Sequence, residues 1–327
     1  MTTSDSRAQQ PEARSLFQRL GPTRLMFYLG KYLPAPVAGV VVVGITQALL
    51  TAKPANYHGV LDNLTHVYTA MRSSGAGVGP AAVEHEVIEA VRRLFYYSTL
   101  SYYHLFRNLG RGVAPDAFHP PVEIRPEVRG YVQEAVATGR GLFVLGSHMS
   151  AFDLCGIAFS HWAPSPPQAL SLADPPPGFE FVNSLRARGR GTITPISPET
   201  LRLAMQYLRD GGIVLTGVDR PIPDGNEPVT FFGQTAYLPT GYIRIPLKTD
   251  CLVMTMAFRY DGERYHLMAN PAMEMERTGD RERDVCLNVQ RVLAQIEGFV
   301  RMAPDQWMVF TPVWSSESAS EGLACRN

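Results

Sequence analysis

The chain has 327 residues, enough for one large domain or two ordinary ones, and 45% of them are hydrophobic, enough for a sizeable core. Its 30 basic and 30 acidic residues cancel, which argues against nucleic-acid binding, a function that needs a basic excess. The four cysteines show no C-x-x-C spacing, so the sequence predicts no zinc site, redox motif or disulfide framework. The expected compartment is therefore reducing and cytoplasmic.

The N-terminal third is predicted to be helical. Residues 1–14 are polar and predict a disordered tail without the apolar core of a signal peptide. Residues 15–110 then carry apolar side chains at helical spacing. Their most apolar run, Val37 to Leu50, is shorter than the roughly 20 residues that a spanning helix needs. This run fits an interfacial, a re-entrant or a buried helix, and we expect peripheral or shallow contact with a membrane surface.

From residue 111 onwards, strands and helices alternate. The predicted elements are a helix at 126–137, a strand at 141–146, a helix at 150–162, a strand at 169–172, a helix at 179–188, a strand at 192–196, a helix at 199–210, a strand at 213–217, a helix at 237–248, a hairpin of 251–260 with 264–270, a helix at 281–302 and a last strand at 307–310. This order predicts an α/β fold, with a central, mostly buried mixed β-sheet flanked by helices. The core spans residues 111–314, continuous with the helical region, and residues 315–327 form a polar tail.

The run from Leu142 to Leu145 is followed closely by a histidine and then a carboxylate. An uninterrupted apolar run bounded by glycines is typical of a buried strand, and open α/β sheets bind ligands at the carboxyl ends of their strands. The S-x-x-D pattern predicts that a helix begins at Ser150, with Asp153 in its first turn. From there the carboxylate can reach back to His148, as in a general-base pair. The alternative is a helix-capping Asp153 beside a loop histidine.

Polar residues also follow the strand at 213–217, where Asp219 and Arg220 come next. Arg186 and Arg188 lie between the two strands in sequence. If these strands are neighbours, one cleft holds a histidine, two carboxylates and several guanidinium groups, which suits a general base acting on a substrate with phosphate groups. The alternatives are a solvated basic helix face for Arg186 and Arg188, and a structural ion pair for Asp219 with Arg220. The sequence contains no G-x-S-x-G elbow, P-loop or dinucleotide fingerprint.

A series of motifs, taken in order, resembles one known family. The motifs are H-x4-D from His148 to Asp153, Gly211-Gly212-Ile213-Val214-Leu215 followed by Asp219, Val229-Thr230-Phe231-Phe232-Gly233-Gln234-Thr235-Ala236, Leu238-Pro239-Thr240-Gly241, the early Asp62-Asn63-Leu64, and the C-terminal Asn288, Glu297 and Pro304-Asp305-Gln306-Trp307. Over roughly residues 20–315 they resemble the lipid A biosynthesis (lauroyl/myristoyl) acyltransferases, a family that includes phosphatidylinositol mannoside acyltransferases within the glycerolipid acyltransferase superfamily. The chain departs from the family pattern at Ser147, at Arg220 and in the residues after Trp307.

The resemblance implies transfer of a fatty acyl group from acyl-CoA or acyl carrier protein to a hydroxyl of a membrane glycolipid or lysolipid, without a metal or other cofactor. His148 would be the general base, Asp153 would fix its tautomer, and backbone N–H groups near residues 149–151 or an arginine would bind the oxyanion. The residues expected to bind substrate are Ser147, Arg186, Arg188, Asp219, Arg220, Phe231 and Phe232. For the two phenylalanines, ordinary core packing is the alternative to an acyl channel.

The expected location is the cytoplasmic face of the plasma membrane. Two other functions fit the same fold, a lipid-binding protein without activity and an acyl-thioester hydrolase that uses the same base with water. The intact His148 and Asp153 disfavour the first of these.

Overall fold

The computed structural model describes residues 26–73, 80–173 and 179–315. The predicted tails at 1–14 and 315–327 lie outside these residues, except for residue 315. The strands are β1 (Val122–Glu123), β2 (Leu142–Gly146), β3 (Gln168–Ser171), β4 (Thr192–Pro195), β5 (Ile213–Gly217), β6 (Asn226–Phe231), β7 (Gln234–Pro239), β8 (Leu252–Tyr260) and β9 (Tyr265–Ala269). Seven of them form one sheet in the order β1-β9-β8-β2-β5-β3-β4, and β6 pairs with β7 in a separate hairpin.

The large sheet is mixed, because β8 and β9 form an antiparallel hairpin while the other neighbouring strands run parallel. The helices around it are α1 (residues 26–32), α2 (Ala35–Ala52), α3 (Ala55–Ser73), α4 (Pro80–Gly110), α5 (Pro126–Ala137), α6 (Phe152–Trp162), α7 (Phe179–Arg186), α8 (Pro198–Arg209), α9 (Arg244–Thr249) and α10 (Arg281–Met302). This architecture confirms the predicted α/β fold with a helical N-terminal region.

Strand β2 lies in the middle of the sheet and is buried on both faces. Phe143 and Leu145 belong to the core on the side of α10, whereas Leu142 and Val144 belong to the core on the side of α5 and α6. All four side chains are fully buried. The continuous apolar run therefore forms a central strand because neither of its faces meets solvent.

The predicted helix at 237–248 is wrong in its first half. Residues 234–239 form β7 and pair with β6 through a turn in which Phe232 and Gly233 have positive φ angles. Ala236 and Leu238 are buried while their neighbours in β7 are not, and this alternation is that of a strand with one face on the core. The helix that follows, α9, begins only at Arg244.

The predicted last strand at 307–310 is absent from the described sheet, because its backbone groups bind elsewhere. Nδ2 of Asn63 in α3 donates to the carbonyl oxygens of Val309 and Thr311, each at 3.0 Å, and Oδ1 of Asn63 accepts from the backbone N–H of Val313. A Cβ atom at Gly59 would lie 2.1 Å from the carbonyl oxygen of Phe310. The C-terminal segment is thus fixed to α3, which joins the helical region to the core.

One cysteine contradicts the sequence-based prediction. Cys286 in α10 is disulfide-bonded, whereas Cys155 and Cys251 are free and buried. The cysteines therefore no longer support the prediction of a reducing compartment.

Candidate active site

His148 lies just past β2 and faces Asp219, which lies just past β5. The two strands are parallel neighbours, and their register pairs Gly146 with Gly217, so the segments that follow them meet at one edge of the sheet. Nδ1 of His148 lies 2.6 Å from Oδ1 of Asp219. The imidazole therefore has a carboxylate partner supplied by the neighbouring strand.

Asp153 has neither of the two functions that the spacing suggested for it. Ser150 has a φ of 54° and Ala151 is the N-cap, so α6 begins at Phe152, and no side chain caps it. Asp153 lies in the first turn, where its Oδ1 lies 2.5 Å from Nε of Arg186. The predictions that Asp153 orients His148 and caps the helix are corrected accordingly. Its carboxylate is instead the partner of an arginine.

Asp219 is fully buried and its carboxylate is surrounded by donors. It accepts from Ser147 Oγ at 2.5 Å, from the backbone N–H of His148 at 2.9 Å and from Trp307 Nε1 at 2.8 Å. Burial alone raises the pKa of Asp219, but attraction to His148 and these hydrogen bonds outweigh it and hold the pKa below its usual value. Since an ionised carboxylate only accepts hydrogen bonds, Nδ1 of His148 carries a hydrogen and Nε2 is left as the basic nitrogen.

Two residues of this network were assigned differently from the sequence. Ser147 was expected to bind substrate, but its hydroxyl donates to Asp219. Trp307 was assigned to a strand, but its indole N–H reaches the same carboxylate. A buried tryptophan needs a partner for its N–H, and that requirement is the one sequence feature that could have indicated its role.

Gly217 makes room for the imidazole. A Cβ atom at this position would lie 2.3 Å from Cε1 and 2.8 Å from Nε2 of His148. On another side, the ring of Phe152 packs edge-on against His148, with the ring centroids 5.2 Å apart. The imidazole is thus confined between the backbone of Gly217 and the ring of Phe152, so its orientation is fixed by packing as well as by Asp219.

A cavity of about 250 Å³ extends from His148 into the space between the sheet and α6. The charged side chains in its wall are Asp153, Arg186 and Arg220, and we call the part of the cavity beside His148 its mouth. The rest of the wall is mostly apolar and includes Val144, Ile157, Ala169, Ile193, Leu215 and Met256. An apolar wall with a few polar groups is the usual form of a ligand site.

The three arginines considered from the sequence have different environments. Arg186 lies at the mouth, where it contacts Asp153 and donates from Nη1 to Asn183 Oδ1 at 2.8 Å. Arg188 is outside the cavity wall and donates to the carbonyl oxygen of Leu109, so the prediction that it binds substrate is not supported. Its bond instead joins the C-terminal end of α4 to the segment after α7.

Arg220 is half-buried in the cavity wall and, within the described parts of the chain, has no hydrogen bond or ion pair. It therefore does not form the structural ion pair with Asp219 that was the alternative interpretation. Burial lowers the pKa of Arg220, the charge of Asp219 opposes that shift, and the charge of Arg186 adds to it. The guanidinium still stays charged at neutral pH because its ordinary pKa is so high.

Phe231 and Phe232 do not line the cavity. They lie in the core on the α10 side of the sheet, whereas the cavity lies on the α6 side. Phe231 stacks on Trp314, and the backbone N–H of Phe232 donates to Glu297 Oε1 at 2.6 Å. The acyl-channel prediction for these residues is wrong, and the core alternative is the correct one.

Two of the backbone donors suggested for an oxyanion are already used. The N–H of Met149 donates to the carbonyl oxygen of Ser147, and that of Ser150 donates to the carbonyl oxygen of Gln306. Positive charge at the mouth therefore comes from arginine side chains. Among the described residues, no cluster of three or more His, Cys, Asp or Glu side chains could hold a metal ion.

Comparison with known proteins gives the family. Among solved structures, the chain is similar to the 1-acyl-sn-glycerophosphate (LPA) acyltransferase PlsC from Thermotoga maritima, at 13% sequence identity and a TM-score of 0.33, covering 80% of this chain and 95% of that one. No curated protein matches the chain. Residues 119–316, more than half of the chain, match the profile described as bacterial lipid A biosynthesis acyltransferase, which confirms the family that the motifs indicated. The chain therefore belongs to the bacterial lipid A biosynthesis acyltransferase family.

Proposed function

We propose that the protein transfers a fatty acyl group from a thioester, acyl-CoA or acyl carrier protein, to a hydroxyl group of a membrane glycolipid or lysolipid. One observation carries the proposal: the His148–Asp219 pair opens onto an apolar cavity with cationic side chains at its mouth. A base serves the acceptor hydroxyl, the apolar wall suits the acyl chain, and the cations suit the phosphate groups of a carrier or a headgroup.

In the proposed reaction, the acceptor oxygen attacks the thioester carbonyl carbon as its proton moves to Nε2 of His148. Asp219 holds the hydrogen on Nδ1 and stabilises the imidazolium. The carbonyl electron pair moves to oxygen, and the charge of Arg220 in the same cavity stabilises this oxyanion. When the carbon–sulfur bond breaks, the imidazolium returns the proton to the thiolate. The products are an ester and a free thiol.

Arg186 contributes a second positive charge at the mouth, and Asp153 holds its guanidinium in place. Both side chains of this pair are mostly buried, at 19% and 12% exposed, so the pair is better shielded from solvent than a surface ion pair. We assign Arg186 to a phosphate group of the donor or of the acceptor. Asp153 then acts on substrate binding through Arg186 rather than on the chemical step.

We further propose that α2 contacts the membrane surface. Among the described helices, α2 is long and apolar enough to cross a membrane by length and composition, and 17% of it is buried. Its buried residues, Ala38, Val42 and Thr46, recur every four positions and pack on α4. A helix that packs along the protein on one side and exposes valines on the other is suited to lie in the plane of the membrane–water interface. The cytoplasmic face remains a prediction.

The experiment is to incubate the protein with acyl-CoA, with and without vesicles of membrane lipid, and to follow free thiol. Thiol release that depends on lipid, together with acylated lipid in the extract, supports transfer. Release without lipid indicates the hydrolase, and no release with either acyl-CoA or an acyl carrier protein contradicts both enzymatic functions and leaves the lipid-binding alternative. The variant His148→Ala is expected to abolish release, and retained activity would refute the assigned base.

A further inference from the structure

The cavity wall contains two glycines with room for a Cβ atom, and one of them, Gly156, lies inside a helix. Its glycines are Gly146, Gly156, Gly191 and Gly217. At Gly191 a Cβ atom would lie 2.3 Å from the carbonyl oxygen of Pro167, and at Gly217 it would collide with His148. A Cβ atom at Gly146, in strand β2, would make only an ordinary contact with the carbonyl oxygen of Thr216 at 3.7 Å, and one at Gly156 would meet nothing within 4 Å. Because a glycine inside a helix is less stable than an alanine, Gly156 weakens α6 without a packing reason. What it provides is empty space.

That space lies midway along the stretch of α6 that lines the cavity. Phe152, Gly156 and Ser160 follow one another at four-residue spacing on the face of α6 that lines the cavity. At the helical rise, Phe152 and Ser160 are separated by about 12 Å along the axis. Phe152 packs on His148 at the mouth. Ser160 is bonded to the backbone N–H of Arg190 at the other end.

The backbone packs tightly around Ser160. A Cβ atom at Gly189 would lie 2.3 Å from Ser160 Oγ, and one at Gly191 would lie 2.3 Å from the carbonyl oxygen of Pro167. Across from α6, the wall is formed by Val144, Leu215 and other apolar residues of the sheet. A straight chain that runs from His148 along α6 towards Ser160 therefore passes Gly156.

We propose that Gly156 sets the length of the acyl chain that this enzyme accepts, an inference that rests on the proposed acyl transfer. The carbonyl carbon of the thioester lies at His148, the first methylene groups lie along the turn after Phe152, and the later ones cross the space that a side chain at position 156 would fill. The substrate class is thus a straight-chain acyl thioester long enough to extend past Gly156. Each methylene group that can no longer be buried is expected to weaken binding about fourfold.

The test uses Gly156→Leu, with Gly156→Ala as a smaller step. The matched control is Gly130→Leu, because Gly130 lies inside α5, has open space around its Cβ position and is not part of the cavity wall. The measurement is kcat/KM for thiol release in the presence of acceptor lipid, over straight-chain acyl-CoA substrates from butanoyl to palmitoyl. We expect Gly156→Leu to lower the ratio of long-chain to short-chain kcat/KM by at least about tenfold, Gly156→Ala to lower it less, and Gly130→Leu to leave it unchanged.

Turnover of short chains by Gly156→Leu shows that the variant is folded, and an unchanged ratio in that variant overturns the inference. If Gly156→Leu does not fold, the test uses Gly156→Ala, because alanine favours the helix. This variant should also lower the ratio of long-chain to short-chain kcat/KM. A second measurement, the rise in Tm caused by each acyl-CoA, reports chain-length preference without turnover. Absence of thiol release in the wild type would therefore overturn the proposed function, whereas an identical Tm profile for wild type and Gly156→Leu would overturn the role of Gly156.

Discussion

The imidazole of His148 is paired with Asp219, 71 residues away in the chain, and its Nδ1 lies 2.6 Å from Asp219 Oδ1. Asp153, only five residues from His148, is paired with Arg186 instead. The two carboxylates therefore have separate functions, and substitution distinguishes them.

Asp219→Asn is expected to lower kcat on the order of 10³–10⁴-fold, because the amide removes the charge that stabilises the imidazolium and no longer fixes the hydrogen on Nδ1. Steady-state kinetics of thiol release provide the measurement. Ser147 and Trp307 still donate to the remaining carbonyl oxygen of the amide, so circular dichroism should show an intact fold. A kcat close to that of the wild type would exclude Asp219 as the partner of the base.

Asp153→Asn is expected to act on KM rather than on kcat. The substitution weakens the hold on Arg186 but leaves His148 and Asp219 in contact. We expect KM for the phosphate-bearing substrate to rise by roughly ten- to a hundredfold, with kcat within about tenfold of wild type, since one charge-assisted hydrogen bond is worth about 1.5–3 kcal/mol. A fall in kcat as large as that of Asp219→Asn would contradict the assignment and restore Asp153 to the chemical step.

Gly217→Ala is expected to displace the imidazole, since the new Cβ atom would lie 2.3 Å from Cε1 of His148. A displacement on the order of 1 Å of a catalytic group lowers the rate by roughly 10²-fold. The measurement is kcat/KM for thiol release, with Gly130→Ala as the control, because alanine at that helical position meets no atom within 4 Å. Equal activities for the two variants would show that the imidazole has room that the structure does not indicate.

Negative charge introduced on the exposed face of α2 tests the proposed membrane contact. Val40 and Val43 are 75% and 56% exposed, and the double substitution to glutamate is expected to abolish cosedimentation with lipid vesicles. Leu203→Glu is the matched control, because Leu203 is an apolar residue of α8 that is 59% exposed and far from α2 in sequence. If the valine variant still sediments with vesicles as the wild type does, α2 is not the contact.

The stability of the fold should depend on pH through His104. This side chain is 7% exposed, its Nδ1 lies 2.6 Å from the Tyr265 hydroxyl oxygen, and burial, assisted by the charges of His119 and Arg107, lowers its pKa to about 3. The unfolded chain binds a proton at His104 below pH 6.5, whereas the folded protein does not until pH 3 is approached. The contribution of His104 to the free energy of unfolding is thus complete above pH 6.5 and is lost as the pH falls towards 3.

The expected loss from this group is about 2 kcal/mol of the free energy of unfolding between pH 6.5 and 5. Urea unfolding at a series of pH values measures it. The variant His104→Asn keeps a hydrogen-bonding atom near Tyr265 but does not titrate, so its curve should lack this slope. A slope equal to that of the wild type would show that other groups cause the acid sensitivity.

Local patterns predicted much of the core. The apolar run at 142–145 gave a buried strand, the ranges of α5, α10 and β5 agree with the structure, and the turn at Asp261-Gly262 gave the β8–β9 hairpin. Errors arose where another part of the chain changed the outcome. Residues 307–310 have a strand-like composition, but Met308 donates its N–H to the carbonyl oxygen of His148 and Asn63 binds the carbonyl oxygen of Val309, so they form only an isolated bridge. Residues 237–239 extend a hairpin because β6 lies beside them.

Short segments were enough to predict that a histidine follows a buried strand, that an Asp-Arg pair follows another, and that the motif order is that of an acyltransferase family. The carboxylate that pairs with His148 could not be identified in this way, because it depends on how distant segments meet. The pairing depends on the strand order, which makes β5 the neighbour of β2, and on their register, which brings Asp219 to the imidazole. The H-x4-D spacing fixes the separation of His148 and Asp153 along the chain, but the turn at Ser150 and the start of α6 at Phe152 leave Asp153 paired with Arg186.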